Sequence, residues 1–363
     1  MVSTDGAIPL VGHAYPGNSP DVTQFAPMVK ELVSRFEALG AENNESDESD
    51  ENTCSDASKL TLVYDARQNS EDNYELLDHS VLSFVGSLPP SDHSDLLAVE
   101  KDRYKVVDQD RFPGLVAYET TKIVFGKQRR LVVCHSEGLH EKQSRGFDQT
   151  LAKATRQLGE VQARLQRGKT RKAREKLEAE IAHILAPRWV SRVISTTLSG
   201  EQPKELRLSF RINELARTAL EEEIFGKRIL FTDKGPEHAS TADIVAEYRS
   251  QEAVEADFRQ MKDPRVVSFS PMFHFTEQEI HVHVLYCVLA LLVARLMVRE
   301  AEHTGMHMSV RELLDTLAGI QETLMLYQGE RGRPRARRML TEIDPTQQRL
   351  YDLFGLDSYA PKW

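Results

Sequence analysis

The stretch from Lys59 to Leu88 constrains the fold most. An apolar, β-branched run, "KLTLVYD", ends in an aspartate, Asp65. A short helix pattern follows in "SEDNYELLDH" (Ser70 to His79), and a second apolar run, "SVLSFVGSL" (Ser80 to Leu88), closes on Pro89-Pro90. Upstream, "IPLVGHAY" (Ile8 to Tyr15) reads as a strand after an Asp5-Gly6 turn, and Asp21 to Ala38 has helical periodicity behind the turn and cap residues of "PGNSPD". Strand, helix, strand, helix, strand is the order of an α/β sheet layer. With 363 residues, the chain can build one large domain with an insertion, or two domains.

Between about residues 91 and 225 the pattern changes. "LVAYETTKIVFGKQRRLVVCHS" alternates strand signals around a turn at Gly126, and two helices with a basic turn at Gly168 cover His140 to Ala186. Strand character returns in "RWVSRVISTTL" and "ELRLSFRI", so the region reads as an inserted subdomain. "KRILFTD" (Lys227 to Asp233) is expected to be a last strand, followed by helices to about Met325 and a basic tail from 326 to 363.

Three cysteines without C-x-x-C spacing argue against a disulfide framework or a zinc ribbon. No signal peptide is expected, because the first residues have neither a basic region nor a long apolar run. "VLYCVLALLVARLMV" (Val284 to Val298) is interrupted by Arg295 and falls short of the roughly 20 residues of a membrane span, so it reads as a buried core helix. A cytoplasmic protein without a membrane partner is expected. The net charge of −10 is concentrated. Glu42 to Asp56 holds seven acids and no Lys or Arg, and reads as a disordered surface loop. Basic residues cluster in "RLQRGKTRKAREK" (Arg164 to Lys176) and "RGRPRARR" (Arg331 to Arg338), either as solvated faces or as contacts to nucleic-acid phosphates.

"AEYRSQEAVEADFRQMKDP" (Ala246 to Pro264) reads as one amphipathic helix with Tyr248, Glu255 and Lys262 at i, i+7 and i+14 on one stripe. Ala253, Val254 and Phe258 would turn that stripe inwards, where unpaired charge is costly. Each residue also has a plain reading. Asp65 can cap the end of its strand, Glu255 can pair with Arg259 one turn on, and Tyr248 and Lys262 can lie on a helix surface. Taken together, two carboxylates from distant segments suit Mg²⁺ or Mn²⁺, which prefer oxygen ligands and promote in-line phosphoryl displacement. Lys262 would then meet a DNA phosphate.

The segments "DGAIPLVGHAYPGNSPDVTQF", "LTLVYDARQNSEDN", "HSVLSFVGSLPPSDHSDLLAV" and the run from Ala246 to Leu296 carry a family resemblance. The chain resembles the bacterial insertion-sequence transposases of the DDE type over most of its length. The most specific element is the signature Y-x2-R-x3-E-x6-K, matched by Tyr248, Glu255 and Lys262. The arginine position is Gln251, a departure, with Arg249 and Arg259 nearby to serve DNA. The resemblance implies a ribonuclease-H-like α/β core, in parts over 1–90 and 226–325, with a large mixed α+β insertion at 91–225 and C-terminal helices. It implies that Asp65 and Glu255 are catalytic carboxylates and ligands of Mg²⁺ or Mn²⁺, and that Tyr248, Arg249, Arg259 and Lys262 bind DNA. The implied activity is cleavage and strand transfer on double-stranded DNA, at transposon ends and target, by a homodimer when bound to DNA in the nucleoid. The family's first aspartate lies before the Asp5-Gly6 turn where this sequence begins. The first strand and one of three acids are therefore expected to be missing, leaving an N-terminally truncated and inactive chain.

No phosphate-binding G-x-x-x-x-G-K-[ST] loop, G-x-G-x-x-G or G-x-S-x-G elbow competes with this reading. His281 and His283 of "HFTEQEIHVH" point about 200° apart on a helix, so they and His274 are expected to be structural. The alternative function is a non-catalytic DNA-binding or subunit-interacting remnant, and a structure-directed nuclease of the same fold is a third reading.

Overall fold

The computed structural model describes residues 1–3, 5–44, 60–168, 172–328 and 335–359. In chain order the elements begin with helix α1 (Val22–Asn44), strand β1 (Thr61–Val63), α2 (Glu71–Asp78), β2 (Ser83–Leu88), α3 (Ser94–Leu97), β3 (Lys105–Val106), β4 (Leu115–Val124) and β5 (Lys127–Ser136). Then come α4 (Glu137–Gln166), α5 (Arg174–Leu185), α6 (Val190–Val193), β6 (Ile194–Ser199), β7 (Arg207–Ile212), α7 (Glu214–Ile224), β8 (Lys227–Thr232) and α8 (Thr241–Arg249). The chain ends with α9 (Glu252–Lys262), α10 (Glu277–His303), α11 (Val310–Ala318), β9 (Glu322–Tyr327), β10 (Arg335–Leu340) and α12 (Pro345–Leu353). These elements form two compact units, Ser58–Tyr248 and a second unit that joins Met1–Ala57 to Arg249–Trp363.

The first unit is mixed α/β. Its six-stranded sheet has the order β1-β2-β8-β5-β4-β3, with β1 and β2 parallel and every other neighbour antiparallel. The centres of β2, β5 and β8 are short apolar runs because both faces are covered there, whereas β4 alternates buried and exposed residues. On one face Tyr74 of α2 stacks on Phe125 at 4.2 Å and meets Phe84 and Phe231 at 5.6 and 5.4 Å. A Cβ on Gly86 would lie 2.7 Å from the Phe231 ring, which explains a glycine inside β2. On the other face Ile244, Val245 and Tyr248 of α8 pack on Val85, Val132 and Leu230. Phe125 and Gly126, with φ of 49° and 76°, make the two-residue turn that joins β4 to β5. The outer strands β1 and β3 are three and two residues long, which limits the exposed edge. The expected boundaries near 90 and 225 fall between strands of this one sheet. The sheet is of the mixed α/β class.

In the second unit α10, α11 and α12 share a core of Ala294, Val298, Ala301, Val310, Leu313 and Leu350. Three expectations change here. "IPLVGHAY" forms no strand but a single bridge, Val2 to Pro9, because Pro9 has no N–H to extend a ladder. The helical run expected to about Met325 ends at Ala318, and Glu322–Tyr327 pairs as β9 with β10, so the tail from 326 contains a strand and a helix. α10 is buried along one stripe only, through Cys287, Leu291, Ala294, Val298 and Ala301, whereas Leu285, Tyr286 and Val293 are exposed. At 27 residues it is also long and apolar enough to cross a membrane, alone in this among the described residues. The acidic run Glu42–Asp56 lies outside the described residues apart from its first three, which end α1.

Candidate functional site

Asp65 follows β1, where the chain leaves the sheet beside the parallel strand β2. Its Oδ1 accepts from the backbone N–H of Ala66 at 2.7 Å, so the residue caps a short turn and is itself exposed. That turn is fixed from several sides. Asn69 donates to the Ser87 carbonyl of β2 at 3.0 Å and accepts from the Tyr74 hydroxyl at 2.7 Å, while Asn73 donates to the Gln68 carbonyl at 2.8 Å. Ser70 then caps α2 by accepting from the Asn73 N–H. Burial pushes the Tyr64 and Tyr74 hydroxyls above their ordinary values, so both stay protonated donors in this wall.

The helix expected over Ala246 to Pro264 is two helices, interrupted at Ser250 and Gln251. The single stripe of Tyr248, Glu255 and Lys262 therefore does not form. Tyr248 is buried at the end of α8, with the Arg228 guanidinium 5.0 Å above its ring. Arg249 closes that helix and is exposed. On α9, Glu255, Arg259 and Lys262 face solvent, and among the described residues Glu255 makes no ion pair with Arg259. Asp65 and Tyr248 belong to the Ser58–Tyr248 unit, and Arg249, Glu255, Arg259 and Lys262 to the other.

The acid that α9 turns inwards is Asp257. Arg295 of α10 donates to its Oδ1 from Nε at 2.8 Å and Nη2 at 2.6 Å, with the Asp257 side chain buried and that of Arg295 partly buried. Burial raises the Asp257 carboxyl above its ordinary value, while Arg295 and the Met1 amino group draw it down. Arg295 was visible in the sequence as the residue that interrupts an apolar run; its partner was not.

The basic run from Arg164 is partly structural. Arg164 and Lys172 share Glu180 at 2.7 and 3.0 Å. Arg174 pairs with Glu178 and donates to the carbonyls of Gly200 and Leu198. Residues 169–171 and 329–334 lie outside the described residues. His283 bonds to the Phe269 carbonyl at 3.2 Å and lies 3.6 Å from Cys287 Sγ, with the His274 ring 5.1 Å away, an arrangement in keeping with structural histidines. A cleft of about 760 Å³ between Arg103, Lys105, Tyr118, Ser240 and Thr241 is lined by none of the residues that the sequence singled out.

For a divalent metal, Asp65 offers its remaining oxygen and Glu255 both of its own. Yet among the described residues no group of three or more His, Cys, Asp or Glu side chains could hold an ion. The residues around either carboxylate do not by themselves fit a resident Mg²⁺ or Mn²⁺. No protein-family model matches the chain, and no curated protein or solved structure matches it.

Proposed function

We propose that this protein acts on double-stranded DNA as a transposase of the DDE type, on a ribonuclease-H-like core. Asp65 and Glu255 are its reactive acids, and Arg249, Arg259 and Lys262 serve DNA phosphates. Tyr248 anchors α8 to the sheet. The observation that carries this reading is Asp65, an exposed carboxylate at the carboxyl end of a strand in a parallel pair, on a turn that Asn69 ties to β2. Ligands of open α/β sheets gather at such strand ends. The reaction class is phosphoryl transfer. Water displaces the 3′-oxygen at a transposon end, and the freed 3′-hydroxyl then attacks target DNA, each step exchanging one P–O bond for another. Incubation with supercoiled plasmid and Mg²⁺ or Mn²⁺ tests this reading: nicked or joined product would establish the activity and overturn the inactivity expected from the sequence. Asp65→Asn and Glu255→Gln should each abolish any such product. Nicking that survives both substitutions would sink the reading.

A second reading has its own support. One Asp65 oxygen is occupied by the turn, and the described residues hold no ready metal group, which favours a non-catalytic DNA-binding or subunit-interacting remnant. Salt-sensitive DNA binding without any nicking would select it.

A further inference from the structure

Strands β9 and β10 stand as a two-stranded ribbon. All six residues of β9 are exposed, among them Leu324 at 51%, Leu326 at 70% and Tyr327 at 50%. A lone hairpin is marginally stable in water, so this one presents apolar surface without the burial that usually accompanies it. Its register pairs Arg337 with Met325 and Arg338 with Leu324, which sets arginine beside apolar side chains on both faces. Tyr327 lies two residues along from Met325, on the Arg337 face.

Charge identifies the partner. The twelve paired residues include three arginines and one acid, Glu322, which takes Arg338 at 3.3 Å. Arg337 has no carboxylate partner among the described residues. A second copy paired through β10 is disfavoured, because arginines would face arginines across the new pairing. Duplex DNA meets the requirements. Its phosphates take arginine, its sugars and base edges take apolar side chains, and its major groove admits a two-stranded ribbon. We propose that the β9–β10 ribbon is a duplex-DNA contact, with Arg337 on a phosphate and Met325 and Tyr327 against the groove wall. The proposal rests on the reading that the chain acts on DNA.

The test is fluorescence anisotropy of the full chain with a short labelled duplex between about 50 and about 200 mM salt. Arg337→Ala is expected to weaken binding and to lower the slope of log K against log salt by about 1, and Arg337→Lys to restore the slope. Tyr327→Ala should weaken binding several-fold at unchanged slope. Far-UV circular dichroism checks the fold, and Arg337→Gln reads the same slope should the alanine variant misfold. If the native chain binds and Arg337→Ala and Arg337→Gln keep its slope, the ribbon proposal fails while the DNA reading stands. If the native chain binds no duplex even at low salt, both fail. If Tyr327→Ala changes the sedimentation state and leaves DNA binding intact, the ribbon serves a protein partner and the proposal is overturned.

Discussion

At Asp257 the cost of placing a carboxylate inside a protein is met by one side chain, Arg295, through two short bonds to a single oxygen. Removing one member of a buried pair leaves the other charge uncompensated, so Arg295→Met should destabilise the fold by about 3–5 kcal/mol, read as a urea midpoint near neutral pH. The loss depends on pH. Burial already holds the Asp257 carboxyl above its ordinary value, and without Arg295 the folded value climbs further. Below an ordinary carboxylate value of about 4 the group is protonated in folded and unfolded chains alike, and the loss is smallest. It grows as pH rises from there through the folded value, because only the unfolded chain ionises freely. Adding Asp257→Leu should recover most of the stability; a double variant as weak as Arg295→Met alone would contradict the pair. This pairing was half legible. Arg295 stands out within "LLVARLMV", but Asp257 shares its helix with Glu252 and Glu255, and a single continuous periodicity placed Glu255 inside.

Elements were legible where the local pattern and the tertiary environment agree. The runs Phe84–Val85, Leu131–Cys134 and Ile229–Phe231 are apolar because both sheet faces are covered there, and the turn at Gly126 has the positive φ that its glycine allows. The break between α8 and α9 was not legible, since Gln251 is a good helix former and Ser250 only mildly unfavourable in a helix. What separates the two helices is what each buries, Tyr248 against the sheet and Asp257 against Arg295. β9 was missed for another reason. "ETLMLY" continues an apolar helical pattern, and its strand partner lies further along the chain. The start of α11 has a strong local signal, with Ser309 accepting from the Glu312 N–H and Glu312 reaching back to the Ser309 N–H. Ser309→Ala should therefore cost about 1 kcal/mol, seen as a lower thermal midpoint. A midpoint unchanged by that substitution would mean that packing of Val310 and Leu313 holds the helix start without its cap.

For the whole molecule, the sheet decides which stretch of chain is a folding unit. β8 lies between β2 and β5, so strands from before residue 91 and after residue 225 build one half of the sheet and those of the intervening region the other, joined where β8 pairs with β5. The β1-β2-β8 half is held by bonds nearly 150 residues apart in sequence, such as the Phe84 N–H to Asp233 and the Thr232 hydroxyl to the Phe84 carbonyl. Single-sequence patterns carry no record of such pairings, so the change near 91 and 225 marks where the chain leaves and rejoins the β1-β2-β8 half but not that β5 pairs with β8 in the same sheet. The two divisions predict different behaviour for fragments. A fragment of residues 58–248 retains all six strands together with α2 and α8, which cover the two faces of the sheet. It should unfold cooperatively in urea, with a near-ultraviolet signal from its packed tyrosines. A fragment of residues 91–225 loses β1, β2 and β8, and exposes β5 along an edge where Leu131, Val132 and Val133 are fully buried in the intact sheet. An open edge of that kind is a template for aggregation, so the shorter fragment should be insoluble or lack a cooperative transition. Cooperative folding of 91–225 would show that the insertion is independent and that β8 is an accessory to its sheet.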